Sequence, residues 1–221
     1  MRFGKGAMVG TSQVKRKYGG VSAADRRAER RRRLLDAGAE IIRERGLAAV
    51  SYRAVCRTAG LTERYFYESF ASVDELLLAV FEEQLAIGVG GVMAAVAEAP
   101  PTPRAAAAAA VRSFVDRVAD DRLLSCLLVE SSAHPVMRPH RRTAIDTFVD
   151  LMVAQGTSLI RQPRDAREAR TARHAATMLA GGFHELLVDW LEAGMPVPRE
   201  DLVDDVVEMF FAAIDHFATL E

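Results

Sequence analysis

Residues 51 to 70, SYRAVCRTAGLTERYFYESF, hold the side chains best suited to chemistry with a charged polymer. Arg64 can fork a guanidinium onto guanine in a major groove, and tyrosine hydroxyls at 65 and 67 can reach phosphate oxygens. A helix start just before them offers free N–H groups that favour phosphate. Phe66 and Phe70, four apart, would pack inward and turn Arg64 and Glu68 outward. The plainer reading of the same twenty residues is a core hairpin whose Arg64 and Glu68 form only a surface ion pair.

Catalytic chemistry finds less support. Glu130 and His134 can share a helix face, but Pro135 ends that helix and no second such pair completes a metal site. His174 and His184, ten apart, face different directions. No glycine-rich phosphate loop, nucleophile elbow or paired-cysteine motif is present. The sequence therefore predicts no catalytic residue, metal or cofactor. Cys56 and Cys126 read as buried thiols in a reducing cytoplasm, with a thiol sensor as the alternative.

Stepping from residues to elements, Ser51 can cap a short helix carrying Tyr52, Val55 and Cys56 on one side. Ala59-Gly60-Leu61 breaks it, and Thr62 caps the second helix. Upstream, Ser22 and Asp25 have the spacing of a capping box, opening a helix that stops at Gly46 with Leu34, Gly38, Ile41 and Ile42 as its core stripe. Arg26, Arg27 and Arg30 to Arg33 crowd its first half, which nearby phosphates would relieve. Ser72 caps a long fourth helix with Asp74 and Glu75 in its first turn. Gly88, Gly90 and Gly91 in its second half mark either a close-packing seam or a soft joint able to carry a signal.

Charge is lopsided in the 221 residues. The first 70 hold 16 Lys and Arg against 7 Asp and Glu, the remainder 13 against 23, for a net charge of −1. Nucleic acid belongs at the N-terminal end. Residues 1–21, glycine-rich and without apolar periodicity or a secretory core, are expected to be a disordered basic arm. Lys15, Arg16 and Lys17 suit a minor groove or a phosphate track; an unselected tail, or a start at Met8, is the alternative.

From Arg32 to Leu85 the chain resembles the N-terminal domain of the TetR family of transcriptional regulators. The resemblance rests on LLDAGAEIIRERG, the Ser51 cap before an arginine-containing helix, the AGLT turn, YFYESF, and the S-x-D-E-L start of the fourth helix. It implies phosphate-positioning roles for Ser51, Thr62 and Tyr67, and base-reading positions for Arg64 and Tyr65; Arg53 is a further phosphate candidate. Ser69 and Val73 depart from the family pattern, the latter where a phosphate-binding lysine is frequent, which shifts affinity onto other cations.

Beyond the APPTPR linker, where Thr102 caps and Pro103 opens a helix, the chain reads as helices over about 104–119, 121–133, 137–161, 167–193 and 200–220. The expected fold is all-α with about nine helices: a helix-turn-helix domain at 22–88, then a ligand-binding and dimerisation domain at 89–221. The last two helices carry apolar stripes that include Leu179, Phe183, Leu186 and Trp190, then Val206, Phe210, Ile214 and Phe217. They suit a four-helix dimer seam, as the resemblance also implies, or an intramolecular core. By the same resemblance, an inducer lies among Phe114, Leu127, Phe148, Met152 and Phe183, with Glu130, His134 or His184 orienting it.

The resulting expectation is a cytoplasmic, nucleoid-associated homodimeric repressor that binds an inverted repeat in double-stranded DNA. A small hydrophobic or amphipathic ligand releases it. Rival readings are an architectural DNA-binding protein, an activator or ligand-independent regulator, and an enzyme or carrier with a vestigial DNA-binding domain.

Overall fold

The structure, a computed structural model, describes residues 22–219, with side chains to residue 212. Among the described residues there are nine α-helices, one 3-10 turn and no strand. The 1–21 arm, with Lys15, Arg16 and Lys17, lies outside the described residues, as do the side chains of Ile214 and Phe217.

Helix α1 (Ala23–Arg45) begins with the reciprocal box foreseen for Ser22 and Asp25: the Asp25 N–H donates to Ser22 Oγ at 3.0 Å, and the Ser22 N–H to the Asp25 carboxylate at 3.1 Å. It stops at Gly46, whose φ of +80° suits glycine alone. A 3-10 turn (Leu47–Ala49) leads to α2 (Tyr52–Ala59), capped by Ser51 and closed by left-handed Gly60. The pair is completed by α3 (Glu63–Ser69). Thr62 stands at the first-cap position of α3, yet its hydroxyl makes no capping bond, contrary to the sequence reading.

Leu34, Ile41, Ile42, Val55, Phe66, Phe70, Leu76 and Val80 form the first core. Residues 22–88 do not close it. Leu123, Leu127 and Met137 from far along the chain complete it.

Helix α4 (Val73–Glu98) runs unbroken through Gly88, Gly90 and Gly91. A Cβ built at Gly88 or Gly90 meets nothing within 4 Å, so a close-packing seam is not what these two glycines serve within the chain. By length and composition α4 is apolar enough to cross a membrane. In this fold its apolar side groups meet the first core, the next helix and a cavity.

The remaining helices are α5 (Pro103–Asp120), α6 (Arg122–Glu130), α7 (Met137–Leu159), α8 (Ala166–Glu192) and α9 (Arg199–Thr219). Three start on side-chain caps, from Thr102, Asp121 and Asp165. Helix α5 packs on α4 and α9, α7 on α8, and α6 on both α1 and α8. The second core joins Val115, Val118, Leu187, Trp190, Val203 and Val206.

Helix α6 belongs to both cores. Its sequence RLLSCLLVE puts Leu123 and Leu127 on one face and Leu124 and Leu128 on the next, so the first pair enters the N-terminal core and the second pair the C-terminal one. The sequence boundary at 88/89 therefore falls inside a continuous helix, and a separate short helix ties the two halves together.

Candidate DNA interface and ligand cavity

On the outer face of α3, Arg64 is open to solvent, its side chain 83% exposed and paired through Nε with Glu68 at 2.8 Å. Ser51, Arg53, Thr62 and Tyr67 are also exposed. Ser51 Oγ accepts the Ala54 N–H at 3.3 Å, Arg53 Nε donates to the Tyr52 hydroxyl at 2.9 Å, and Tyr67 sits 6.0 Å from the Tyr52 ring. Tyr65 is only half exposed, with the Arg30 guanidinium 4.5 Å over its ring. The ring contact of Tyr67 with Tyr52 brings the start of α2, where Arg53 sits, against α3.

The arginine crowd of α1 does something the sequence reading did not foresee. Arg27 donates to the Glu68 carbonyl at 2.7 Å and Arg33 to the Ala59 carbonyl at 2.6 Å, satisfying carbonyls at the ends of α3 and α2. Arg31 lies 4.5 Å over the Phe70 ring, while Arg32 binds Asp36 and Glu83. Arg27, Arg31 and Arg33, with Arg30 over Tyr65, thus fasten the helix-turn-helix to α1, and Arg32 ties α1 to α4; in the sequence they read as unpaired charge because, Asp36 apart, their acceptors are 26 to 51 residues away.

The C-terminal half encloses a cavity of about 240 Å3 between α4, α5, α6, α7, α8 and α9. Phe114, Leu127, Phe148, Met152, Phe183 and His184, all named from the sequence, line it. Three of the phenylalanines form a cluster, Phe114 edge-on to Phe148 at 5.3 Å and tilted against Phe183 at 6.0 Å. Polar groups are few: Gln84, Ser131, Arg141, Gln155 and His184.

Glu130 and His134 are not on the wall. Glu130 faces the other way, its carboxylate accepting the Leu47 N–H at 2.8 Å, and His134 sits in the turn before α7, its carbonyl accepting from Met137 and Arg138. The four-residue spacing placed them on one face of α6, but α6 ends at Glu130 and that face meets the N-terminal core.

Arg141 was missed by sequence reasoning. It lies early on α7 with Arg138, His140 and Arg142, positions that look like a solvated face. Its terminal nitrogen donates to Glu185 at 2.9 Å, while its Nε is buried without a partner. His184 is 8% exposed and its Nε2 likewise has none. Burial first, and then the Arg141 charge, hold the His184 pKa below its ordinary value.

The dimer stripe also needs correction. Trp190 and Val206 are buried in the second core, Trp190 donating to the Val197 carbonyl at 2.9 Å, and Phe183 and Phe210 line the cavity. Leu179 and Leu186 are half exposed. The stripe read from periodicity is mainly the inner face of α8 and α9. Among the described side chains of α8 and α9, the large apolar groups that point outward are Met178, 77% exposed, and Met209, 55% exposed.

Among the described residues no cluster of three His, Cys, Asp or Glu side chains is placed to hold a metal. Cys56 and Cys126 are unpaired, and burial pushes both thiols up, away from the reactive thiolate.

Residues 34–80 match the family described as bacterial regulatory proteins, tetR family. Over 210 residues the chain is 28% identical to the HTH-type transcriptional activator FasR of Mycolicibacterium smegmatis, covering 91% of both chains. Its fold is similar to that of the fatty acid degradation regulator FadR from Bacillus halodurans, with a TM-score of 0.66 and 17% identity over 87% of this chain and 96% of that one. It is equally similar to FadR from Bacillus subtilis in complex with stearoyl-CoA, TM-score 0.66 and 18% identity over 81% and 96%. The helix-turn-helix with its outward polar face, the all-helical frame and the whole-chain likeness agree: residues 34–80 form a domain of the tetR family of bacterial regulatory proteins, within a chain similar over its length to a transcriptional regulator.

Proposed function

We propose that the protein binds an inverted-repeat operator as a dimer and changes its hold on DNA when an acyl-chain ligand fills the cavity. Residues 22–88 act as the reading unit, and residues 89–221 as the ligand-binding and dimerisation unit. Arg64 and Tyr65 reach base edges; Ser51, Arg53, Thr62 and Tyr67 bind phosphates. One short recognition helix reads too few base pairs to be selective, whereas two at a fixed separation read a palindrome.

The observation that carries the reading is the double duty of α6. Leu127 belongs to the core of the reading head and also lines the cavity, with Leu124 and Leu128 beside it. A ligand that moves this wall must shift the head. It shifts the equilibrium only by as much as it prefers one arrangement over the other.

An acyl chain suits an apolar wall with few polar groups, and a relative of the same fold was solved with stearoyl-CoA. Repression relieved by ligand is the first reading. Activation is the second, favoured by the likeness to FasR, a transcriptional activator.

Selection of genomic fragments by the purified protein at about 150 mM salt, where nonspecific phosphate binding is weak, tests this. The expected result is an inverted repeat whose recovery changes when an acyl ligand is added. Fragments sharing no sequence would overturn the reading in favour of an architectural DNA-binding protein.

A further inference from the structure

Two buried nitrogens in the cavity wall have no partner among the described residues: Nε of Arg141, on the second turn of α7, and Nε2 of His184, in the middle of α8. Buried polar groups in native proteins are nearly always paired, and leaving one unpaired costs about 1–3 kcal/mol. Gln84, Ser131 and Gln155 on the same wall bond to neither nitrogen, and phenylalanine, leucine, methionine and alanine side chains dominate the rest. Arg141 is also the one charged group on that wall among the described residues. Its counter-ion Glu185, one residue beyond His184, is itself 66% exposed and takes only the outer guanidinium nitrogen.

We infer that Arg141 and His184 form a headgroup site that receives an acyl oxygen, the carboxylate of a fatty acid or the carbonyl of an acyl thioester, while the hydrocarbon runs along the inner face of α7. This rests on the acyl-ligand reading above. Arg141 can only donate, and His184 donates from Nε2 when its proton is on that nitrogen, so the pair recognises an oxygen acceptor and rejects a cation. From Arg141 to Leu159, both on the cavity wall, α7 rises about 27 Å, which leaves the far end for an extended chain. His184 was singled out in the sequence as an orienting group; Arg141 was not, and it supplies the charge.

Calorimetric titration of the full chain with dodecanoate, dodecanoyl-CoA and dodecyltrimethylammonium tests the site, because the three share a chain and differ in the head. The wild type is expected to bind at least one acyl probe tighter than the ammonium by roughly tenfold or more. Arg141→Met and His184→Leu are expected to erase most of that preference, by weaker acyl binding in both and by tighter ammonium binding in Arg141→Met, whose melting temperature stays nearly unchanged. Whichever acyl probe loses affinity identifies free acid or thioester as the source. A preference equal in wild type and Arg141→Met overturns the headgroup site. Equal binding of all three heads by the wild type overturns it too while sparing the acyl-ligand reading; binding of none overturns both.

Discussion

The Glu130 carboxylate accepts the Leu47 backbone N–H at 2.8 Å, so the last residue of α6 holds the turn that follows α1. A second bond lies beside it: Arg122, at the other end of α6, donates to the Arg43 carbonyl at 2.7 Å. Both ends of the helix that borders the cavity are therefore fastened to the last turn of α1 or to the residues just after it. Glu130→Ala would leave the Leu47 N–H unpaired and is expected to cost about 1–3 kcal/mol in chemical denaturation. Operator affinity should survive, but its response to ligand should weaken; an unweakened response in a destabilised protein would show that α6 does not carry the signal.

Arg64 and Glu68 are partners in the free protein. Arg64→Ala should cost about 1–3 kcal/mol on the preferred operator and relax selectivity there, whereas a mere phosphate contact would weaken all sequences alike. Glu68→Gln removes the competing carboxylate and should raise affinity for unrelated DNA. Electrophoretic mobility shifts on specific and scrambled duplexes read both.

Acid should act through His184. Its pKa is held below the ordinary value in the fold, so below about pH 6.5 the unfolded chain binds a proton that the folded chain refuses. Stability from this group is therefore whole above that pH and declines as pH falls through the window beneath it. Denaturant midpoints at pH 7.5 and 5.5 should separate less in His184→Leu than in the wild type.

The glycines of α4 divide by the side they face. Gly88 is buried on the cavity wall, and a Cβ there meets nothing within 4 Å, so Gly88→Val should fill space that a ligand needs and lower ligand affinity. Gly90 is exposed and Gly91 is in ordinary reach of Ser113. Alanine at either should stabilise the helix by up to about 1 kcal/mol with ligand affinity intact. Thermal melts and calorimetry distinguish the two faces. If Gly90→Ala with Gly91→Ala also blunts the DNA response to bound ligand, the stretch acts as a soft joint.

Dimerisation should depend on Met178 and Met209, which point away from their own subunit. Replacing both with Glu is expected to yield a folded monomer in sedimentation analysis. Trp190→Ala should instead unfold the C-terminal half, since Trp190 is core, at about 3–5 kcal/mol.

What could be read from the sequence was whatever depends on neighbours a few residues apart. The Ser22–Asp25 box, the Ser51, Ser72 and Thr102 caps, the Gly46 and Gly60 stops and the inward Phe66 and Phe70 are local, and all appear in the fold. The cavity phenylalanines Phe114, Phe148 and Phe183 sit on three different helices, and it was the family resemblance, not local spacing, that grouped them. What stayed hidden needs a distant partner. Arg33 and the Ala59 carbonyl, Glu130 and the Leu47 N–H, and Arg141 and Glu185 are 26, 83 and 44 residues apart. Period alone gives each helix an apolar face and does not say whether that face meets its own chain or a second copy, which is how Trp190 and Val206 were misplaced.

The shared core has a consequence for how the protein is made. Leu123, Leu127 and Met137 close the hydrophobic interior of the reading head, so a nascent chain that has released only its first hundred residues still exposes part of that interior. The head cannot finish folding until the start of α7 has left the ribosome. A fragment cut at the end of α4, or a head grafted onto a foreign C-terminal half, would carry the same open face unless it brought an α6 of its own.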